Sequence, residues 1–192
     1  MTSLEDAVAE QQGQAAPDAM MTRIGQAVML HHAGDREEAR GRFLDLWGEI
    51  GDDGDALHRC TLAHYMADTQ DDPADELAWD LRALSAAEEL TDGHAAEPHG
   101  SLAVRAFYPS LHLNLAADYA KLGRSEAART HLLRARGAAD VLADDRYGDG
   151  VRAAIGRLEL RLQGTGTSAE ADGSDRFDGP GGETLGPPRR RP

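Results

Sequence analysis

Residues 113–135 read LNLAADYAKLGRSEAARTHLLRA, and the fold turns on them. Leu115, Ala116 and Tyr119 recur at helical spacing, Gly123 interrupts the pattern, and Ala128, Leu132 and Ala135 resume it. That is the signature of two helices joined by a tight turn. Ala116 and Ala128 fall where the two helices touch, a place where only small side chains fit. Gly123 permits the turn between them, because glycine enters the left-handed region without steric penalty.

A second stretch, QAVMLHHAGDREEARGRFLDLW at 26–47, places Ala27, Leu30, Gly34, Ala39, Phe43 and Leu46 at the same offsets. Its first helix begins further back, with Met21, Ile24 and Val28 on the same stripe. Gly34 ends that helix and Asp35 is placed to cap the next. The next helix carries Glu37 and Glu38 in its first turn, which suits the positive end of the helix dipole, and Trp47 joins its apolar stripe. Between the two copies lies an irregular hairpin. ALHRCTLAHYMADTQ (56–70) is one helix, with Leu57, Cys60, Leu62 and Tyr65 as packing candidates, and PADELAWDLRALSAAEEL (73–90) is its partner. Its turn is TQDDP, without glycine, and Asp72 before Pro73 reads as an N-cap followed by proline at the first helical position. TDGHAAEPHG (91–100) reads as a loop. The long helix that follows it contains Pro109, which either kinks the helix or marks where its packed part begins. A last amphipathic helix, GVRAAIGRLELRLQ (150–163), presents Val151, Ile155, Leu158 and Leu162 on one face and leaves Arg152, Arg157 and Arg161 wet, as a terminal capping helix would.

The 113–135 stretch resembles a tetratricopeptide repeat, and 26–47 is a second copy. Gly34 and Gly123 are not one repeat of about 34 residues apart; the degenerate middle hairpin separates them. The resemblance covers 18–163. It implies an all-α fold: an α-α superhelix of about three hairpins plus a C-terminal capping helix. It also implies a right-handed superhelix whose concave face is lined by the first helix of each pair, here including Met21, Ile24, Val28, His31, Cys60, His64, Asp68, Leu113, Ala117 and Lys121. Many family members hold a peptide C-terminus in a clamp of Lys, Asn and Arg. Asn114 and Lys121 are near such positions, but the earlier hairpins supply no matching set, so this chain departs from the clamp.

Composition narrows the function. The chain has 192 residues and a net charge of −14, with a single lysine, Lys121. Nucleic acid is therefore not an expected partner, since its phosphates call for a clustered basic face. The only basic cluster is Arg189, Arg190 and Arg191, in a C-terminal PPRRRP read as a solvated end. Aromatics are 5% of residues, so the core is expected to be built from Ala and Leu. Cys60 is the one cysteine and rules out an intrachain disulfide. The N-terminus is acidic and polar, unlike a secretory signal, and no run approaches the roughly 18 apolar residues of a membrane span. The expectation is a cytoplasmic protein, with no membrane partner. Its parts would be a flexible polar stretch at 1–16, the repeat domain at 17–163, and a tail at 164–192 too poor in apolar residues to order.

Candidate site residues lie on the first helices. Cys60, His64 and Asp68 share one helical face at i, i+4 and i+8, and all three types ligate metals. The ends of that row are roughly 12 Å apart at 1.5 Å per residue, too far for one ion, so no metal and no cofactor is expected. Cys60 and His64 also have the spacing of a nucleophile and its base. No oxyanion-stabilising loop, GxSxG, phosphate-cradling glycine loop or HExxH accompanies them, and the chain is read as a non-enzyme. His31 and His32 suit the negative end of their helix. Arg105, Phe107, Tyr108 and Pro109 form an aromatic–basic patch, read either as a partner contact or, preferably, as closure of the core over the long loop.

The sequence reading is thus a scaffold or adaptor that binds a protein or peptide, with a basic partner favoured by the acidic surface. The partner-facing set is His31, Cys60, His64, Asp68, Arg105, Tyr108, Asn114 and Lys121. Self-association into a homo-oligomer is a variant of this reading. The alternatives are a regulatory sensor that binds a small peptide or metabolite and, further off, a cysteine/histidine-dependent enzyme.

Overall fold

The computed structural model describes residues 18–93 and 105–171. The flexible N-terminus read at 1–16, residues 94–104 of the loop and following helix, and the tail from 172 onward lie outside the described residues. Within them the chain forms seven α-helices and no strand. These are α1 (Ala19–Ala33), α2 (Arg36–Ile50), α3 (Ala56–Ala67), α4 (Pro73–Gly93), α5 (Tyr108–Lys121), α6 (Ser125–Ala138) and α7 (Arg146–Ala171), with a short 3-10 turn at Ala139–Val141 before α7. Helices α1–α2, α3–α4 and α5–α6 pair as hairpins, each hairpin packs on the next, and α7 closes the end against α5 and α6. The architecture is the all-α helical-repeat superhelix expected from the sequence.

The four alanines on which that expectation rested are at the helix contacts. Ala27, Ala39, Ala116 and Ala128 are all buried, the last three completely. Each seam fills around them with larger side chains. Ile24, Phe43, Leu46, Leu62 and Met66 pack the first, and Leu132, Ile155, Leu158 and Leu162 pack the last. Between them a third cluster joins α3, α4 and α5 through Cys60, Leu77, Leu84, Leu111 and Leu115. Trp47 and Trp79 meet edge to face at 4.9 Å and tie α2 to α4.

The two glycine turns are the same object. Gly34 (φ 96°) and Gly123 (φ 70°) both sit in the left-handed region. In each, the residue after the glycine donates its N–H back to the carbonyl five residues earlier, Asp35 to Leu30 at 3.1 Å and Arg124 to Tyr119 at 2.8 Å. The middle hairpin turns differently: Asp72 Oδ1 accepts from Ala74 N–H at 2.7 Å, with Pro73 opening α4.

Two details differ from the sequence reading, and Pro109 takes one of the two roles read for it. Asp35 precedes α2 but its side chain makes no capping bond; Asp18, ahead of α1, does cap, accepting from Met20 and Met21 at 3.0 Å. Pro109 lies in the first turn of α5, where its missing N–H costs nothing, and so marks the start of the helix. Helix α7 runs past the residue-163 boundary to Ala171, and it begins at Arg146 because Asp145 Oδ1 accepts from Gly148 N–H at 2.8 Å.

Candidate functional site

The first helices α3 and α5 and the start of α7 enclose a groove with a cavity of about 600 Å³. Its polar wall is His64 and Asp68 from α3 and its C-terminal cap, with Asn114 from α5. Its apolar wall is Leu113, Val151 and Ala154, and Arg146 and Tyr147 stand at its far side. Along one face of α3 Cys60 is buried in the core, His64 is half-buried, and Asp68 is exposed. The i, i+4, i+8 row therefore climbs from core to solvent instead of lining the groove along its length.

Beneath the groove lies a group of charges that the sequence reading did not identify. Asp80 of α4 and Asp118 of α5 are each 1% exposed and meet side chain to side chain. No fixed donor reaches either oxygen of Asp80 or Oδ2 of Asp118. Two carboxylates in contact and out of water cannot both ionise readily. Burial first, then the neighbouring Asp80 and Glu76, push the Asp118 carboxyl up to about 8, against the pull of Lys121. Asp118 thus keeps its proton near neutral pH. Lys121 Nζ bonds both oxygens of Glu76 at 2.6 and 2.5 Å and reaches Asp118 Oδ1 at 3.3 Å.

His64 joins this buried pair to the groove. Its Nδ1 lies 3.5 Å from the Asn114 amide nitrogen and 3.8 Å from Asp80 Oδ1. A neutral ring with a bare Nδ1 accepts from Asn114; a protonated ring points an N–H toward Asp80. Burial disfavours the charged ring, but Asp80, and then Asp68, more than offset it, and the net shift is upward. Asp68 is also raised, first by the water its groove-side face has lost and then by Asp80 and Glu76, against His64 and His31.

The structure thus gathers His64, Asp68, Asn114 and Lys121 around Asp80 and Asp118. The other candidates fall elsewhere. Cys60 is sealed between α3 and α4, and burial pushes its thiol up to about 12, which leaves no thiolate for nucleophilic chemistry at neutral pH. Its presence in the core also removes it from any partner-facing surface. His31 ends α1 with its ring 5.7 Å from His32 and its Nδ1 buried. Tyr108 is a packing residue: its O–H donates to the Ala87 carbonyl at 3.1 Å and meets the Thr91 hydroxyl at 2.9 Å, which fastens α5 to α4. Arg105 is exposed just before α5 and touches none of this cluster. Among the described residues, no group of three or more His, Cys, Asp or Glu side chains is arranged to hold a metal ion, and no helix is long and apolar enough to cross a membrane.

A second polar pair lies between α5 and α6, with His112 buried and His131 half-buried. His112 and His131 face each other Nδ1 to Nδ1 at 3.2 Å, with Tyr119 against His131. Burial, then His131 and Arg134, push His112 down to about 4.

The tetratricopeptide repeat family model matches the chain at 20–43 and at 109–134. These segments are α1 with the first half of α2, and α5 with most of α6. Helices α3 and α4, which carry His64, Asp68 and Asp80, lie outside both matches. No curated protein and no solved structure matches the chain.

Proposed function

We propose that this chain, a tetratricopeptide-like helical-repeat protein, binds an extended segment of another protein in the groove between α3, α5 and α7. Repeats of this kind suggest protein-interaction scaffolds in general. The observation that carries the reading is the groove itself. Helices α3 and α5 of adjacent hairpins and the closing helix α7 give it polar groups on one wall and apolar side chains on the other, in a volume that holds several side chains. Tyr147, 55% exposed at the groove mouth, is the residue type that anchors partners. The net charge of −14 favours a basic partner through steering. A free C-terminal carboxylate is not favoured, since Lys121 is already held by Glu76 and Asp118.

Crosslinking mass spectrometry in the native cell tests this. Asp68→Arg and Tyr147→Ala alter exposed side chains and should leave the helix content unchanged. Repeatable crosslinked partners should be lost in both variants. Partners retained by both would move the binding surface off this groove.

A further inference from the structure

We infer that His64 is a proton-operated switch in the groove wall: one ring nitrogen serves either the Asn114 amide or the Asp80 carboxyl, and the choice decides whether Asn114 is open to a partner. The inference rests on the groove being the binding surface and adds how that surface is regulated.

The geometry supplies the first argument. His64 Nδ1 stands 3.5 Å from Asn114 Nδ2 and 3.8 Å from Asp80 Oδ1. Both separations exceed an ordinary hydrogen bond, so the ring is poised between two partners. The nitrogen cannot serve both in one protonation state. Bare, it accepts an N–H of Asn114; protonated, it points its own N–H at Asp80. His64 and Asn114 both line the cavity, whereas Asp80 is 1% exposed and lies outside that lining. A buried group is thus joined to the groove through one ring, flanked edge-on by Tyr65 with ring centroids 5.2 Å apart.

The surroundings supply the second. Neither oxygen of Asp80 accepts a bond from a fixed donor, and a buried carboxyl left this way favours any proton that can be turned toward it. Other charges approach from each neighbouring element. Asp68 caps α3, and His31 of α1 faces it. Helix α4 supplies Glu76 beside Asp80, α5 supplies Asp118 and Lys121, and Arg146 stands across the cavity on α7. Lys121 is held by Glu76 and Asp118, and Asp118 keeps its own proton up to about 8. Asp80 is therefore the group that the His64 proton answers. Burial disfavours the charged ring, yet Asp80 and then Asp68 more than offset it and hold the proton more firmly than a free histidine would. As pH falls, the ring turns to Asp80 and leaves the Asn114 N–H free to donate to a partner. As pH rises, the bare ring takes that N–H back.

NMR on the full chain tests this by following the His64 ring nitrogens and the Asn114 side-chain amide between pH 5 and pH 9. The two should titrate together, with one midpoint above that of an ordinary histidine. Asp80→Asn should lower the His64 midpoint, and His64→Gln should abolish the Asn114 response even if the Asp80 variant folds poorly. An Asn114 amide that does not move with His64, or a His64 midpoint unchanged in folded Asp80→Asn, overturns the inference. Partners identified by their loss in Asp68→Arg and Tyr147→Ala should be retained several-fold better by the immobilised chain at pH 6 than at pH 8.5, and His64→Gln should level the two. Equal retention by the wild type also overturns it. If Asn114 ignores His64 while those partners still need Asp68 and Tyr147, the groove stands and the switch falls. If the two signals titrate together while partners are indifferent to both residues, the groove itself is the failure.

Discussion

The α5–α6 seam and the α3–α4–α5 junction are adjacent parts of one superhelix, yet they are packed on opposite principles. The seam closes on Ala116, Ala128, Leu132 and Ala135 and matches the repeat family. The junction buries Asp80 and Asp118 in the same kind of position, and α3 and α4 match nothing in that family. A helical repeat needs only small apolar contacts to stack. Burying two carboxyls with a single cation, Lys121, beside one of them adds nothing to stacking and opposes it. These two carboxyls are not something that stacking alone requires.

The largest effect should come from breaking the seam. Ala128 is completely buried against α5, with no space for a longer side chain. Ala128→Leu should destabilise the chain by about 3 kcal/mol, read from the urea midpoint at constant slope. A change below about 1 kcal/mol would show that the helices are not in close contact there.

The junction should respond in the other direction. Asp118 keeps its proton in the folded state up to about pH 8, whereas the unfolded chain loses it near pH 4. Stability therefore falls as pH rises between those values. Asp118→Asn keeps the shape and can donate to Asp80 permanently. It should stabilise the chain by about 2 kcal/mol at pH 8 and make little difference at pH 4. Destabilisation at pH 8 would mean that the ionised carboxylate is the form the fold needs.

The seam carries its own titration with the opposite sign. His112 is held near 4 in the folded state, below the ordinary 6.5. The unfolded chain takes up the proton first as pH falls, so stability is full above 6.5 and is lost toward 4. The difference between wild type and His112→Gln should therefore shift by about 1–2 kcal/mol between pH 7 and pH 4.5, wild type losing more. One chain thus contains a seam that weakens in acid beside a junction that weakens in base. Parallel trends in the two variants would dissolve the contrast.

What could be read from the sequence was whatever depends on one helix or one turn. Ala27, Ala39, Ala116 and Ala128 follow from helical spacing within single hairpins, and Gly34 and Gly123 from the turns between adjacent helices. His64, Asp68 and Asn114 line one cavity, and the sequence had placed them on one side because first helices line the concave face in the repeats it resembles. Asp80 and Asp118 were missed because each looks like a solvated residue in its own helix. Their meeting depends on the register between α4 and α5, which are joined through residues 94–107, and no local pattern sets that register. Cys60 misled for a related reason: sharing a face with His64 and Asp68 does not fix depth, and the row begins in the core at Cys60 and reaches solvent at Asp68.

The glycine turns offer a smaller test of equivalence between copies. At Gly34 and Gly123 nothing obstructs an added Cβ, so any cost of Gly→Ala is backbone strain alone. Each substitution should cost about 1 kcal/mol, and the two should agree within a few tenths if the turns are the same device. A large inequality would mean that the turn in the first hairpin is held by more than its backbone.

The smallest perturbation uses the native cysteine as a reporter. With its thiol buried and pushed up to about 12, Cys60 should stay silent to a thiol reagent such as Ellman's reagent in the folded chain and react at once in urea. Any slow native reaction requires the α3–α4–α5 junction to open, so its rate measures the local opening free energy of the region that holds Asp80 and Asp118. If the junction sacrifices stability to hold that pair, Asp118→Asn should slow the reaction at pH 8, while Gly123→Ala, which strains the neighbouring hairpin, should leave it nearly unchanged. A reaction that is fast in the native state, or that responds to the α5–α6 turn and not to Asp118, would show that seam and junction open as one unit and that their different packing has no separate energetic meaning.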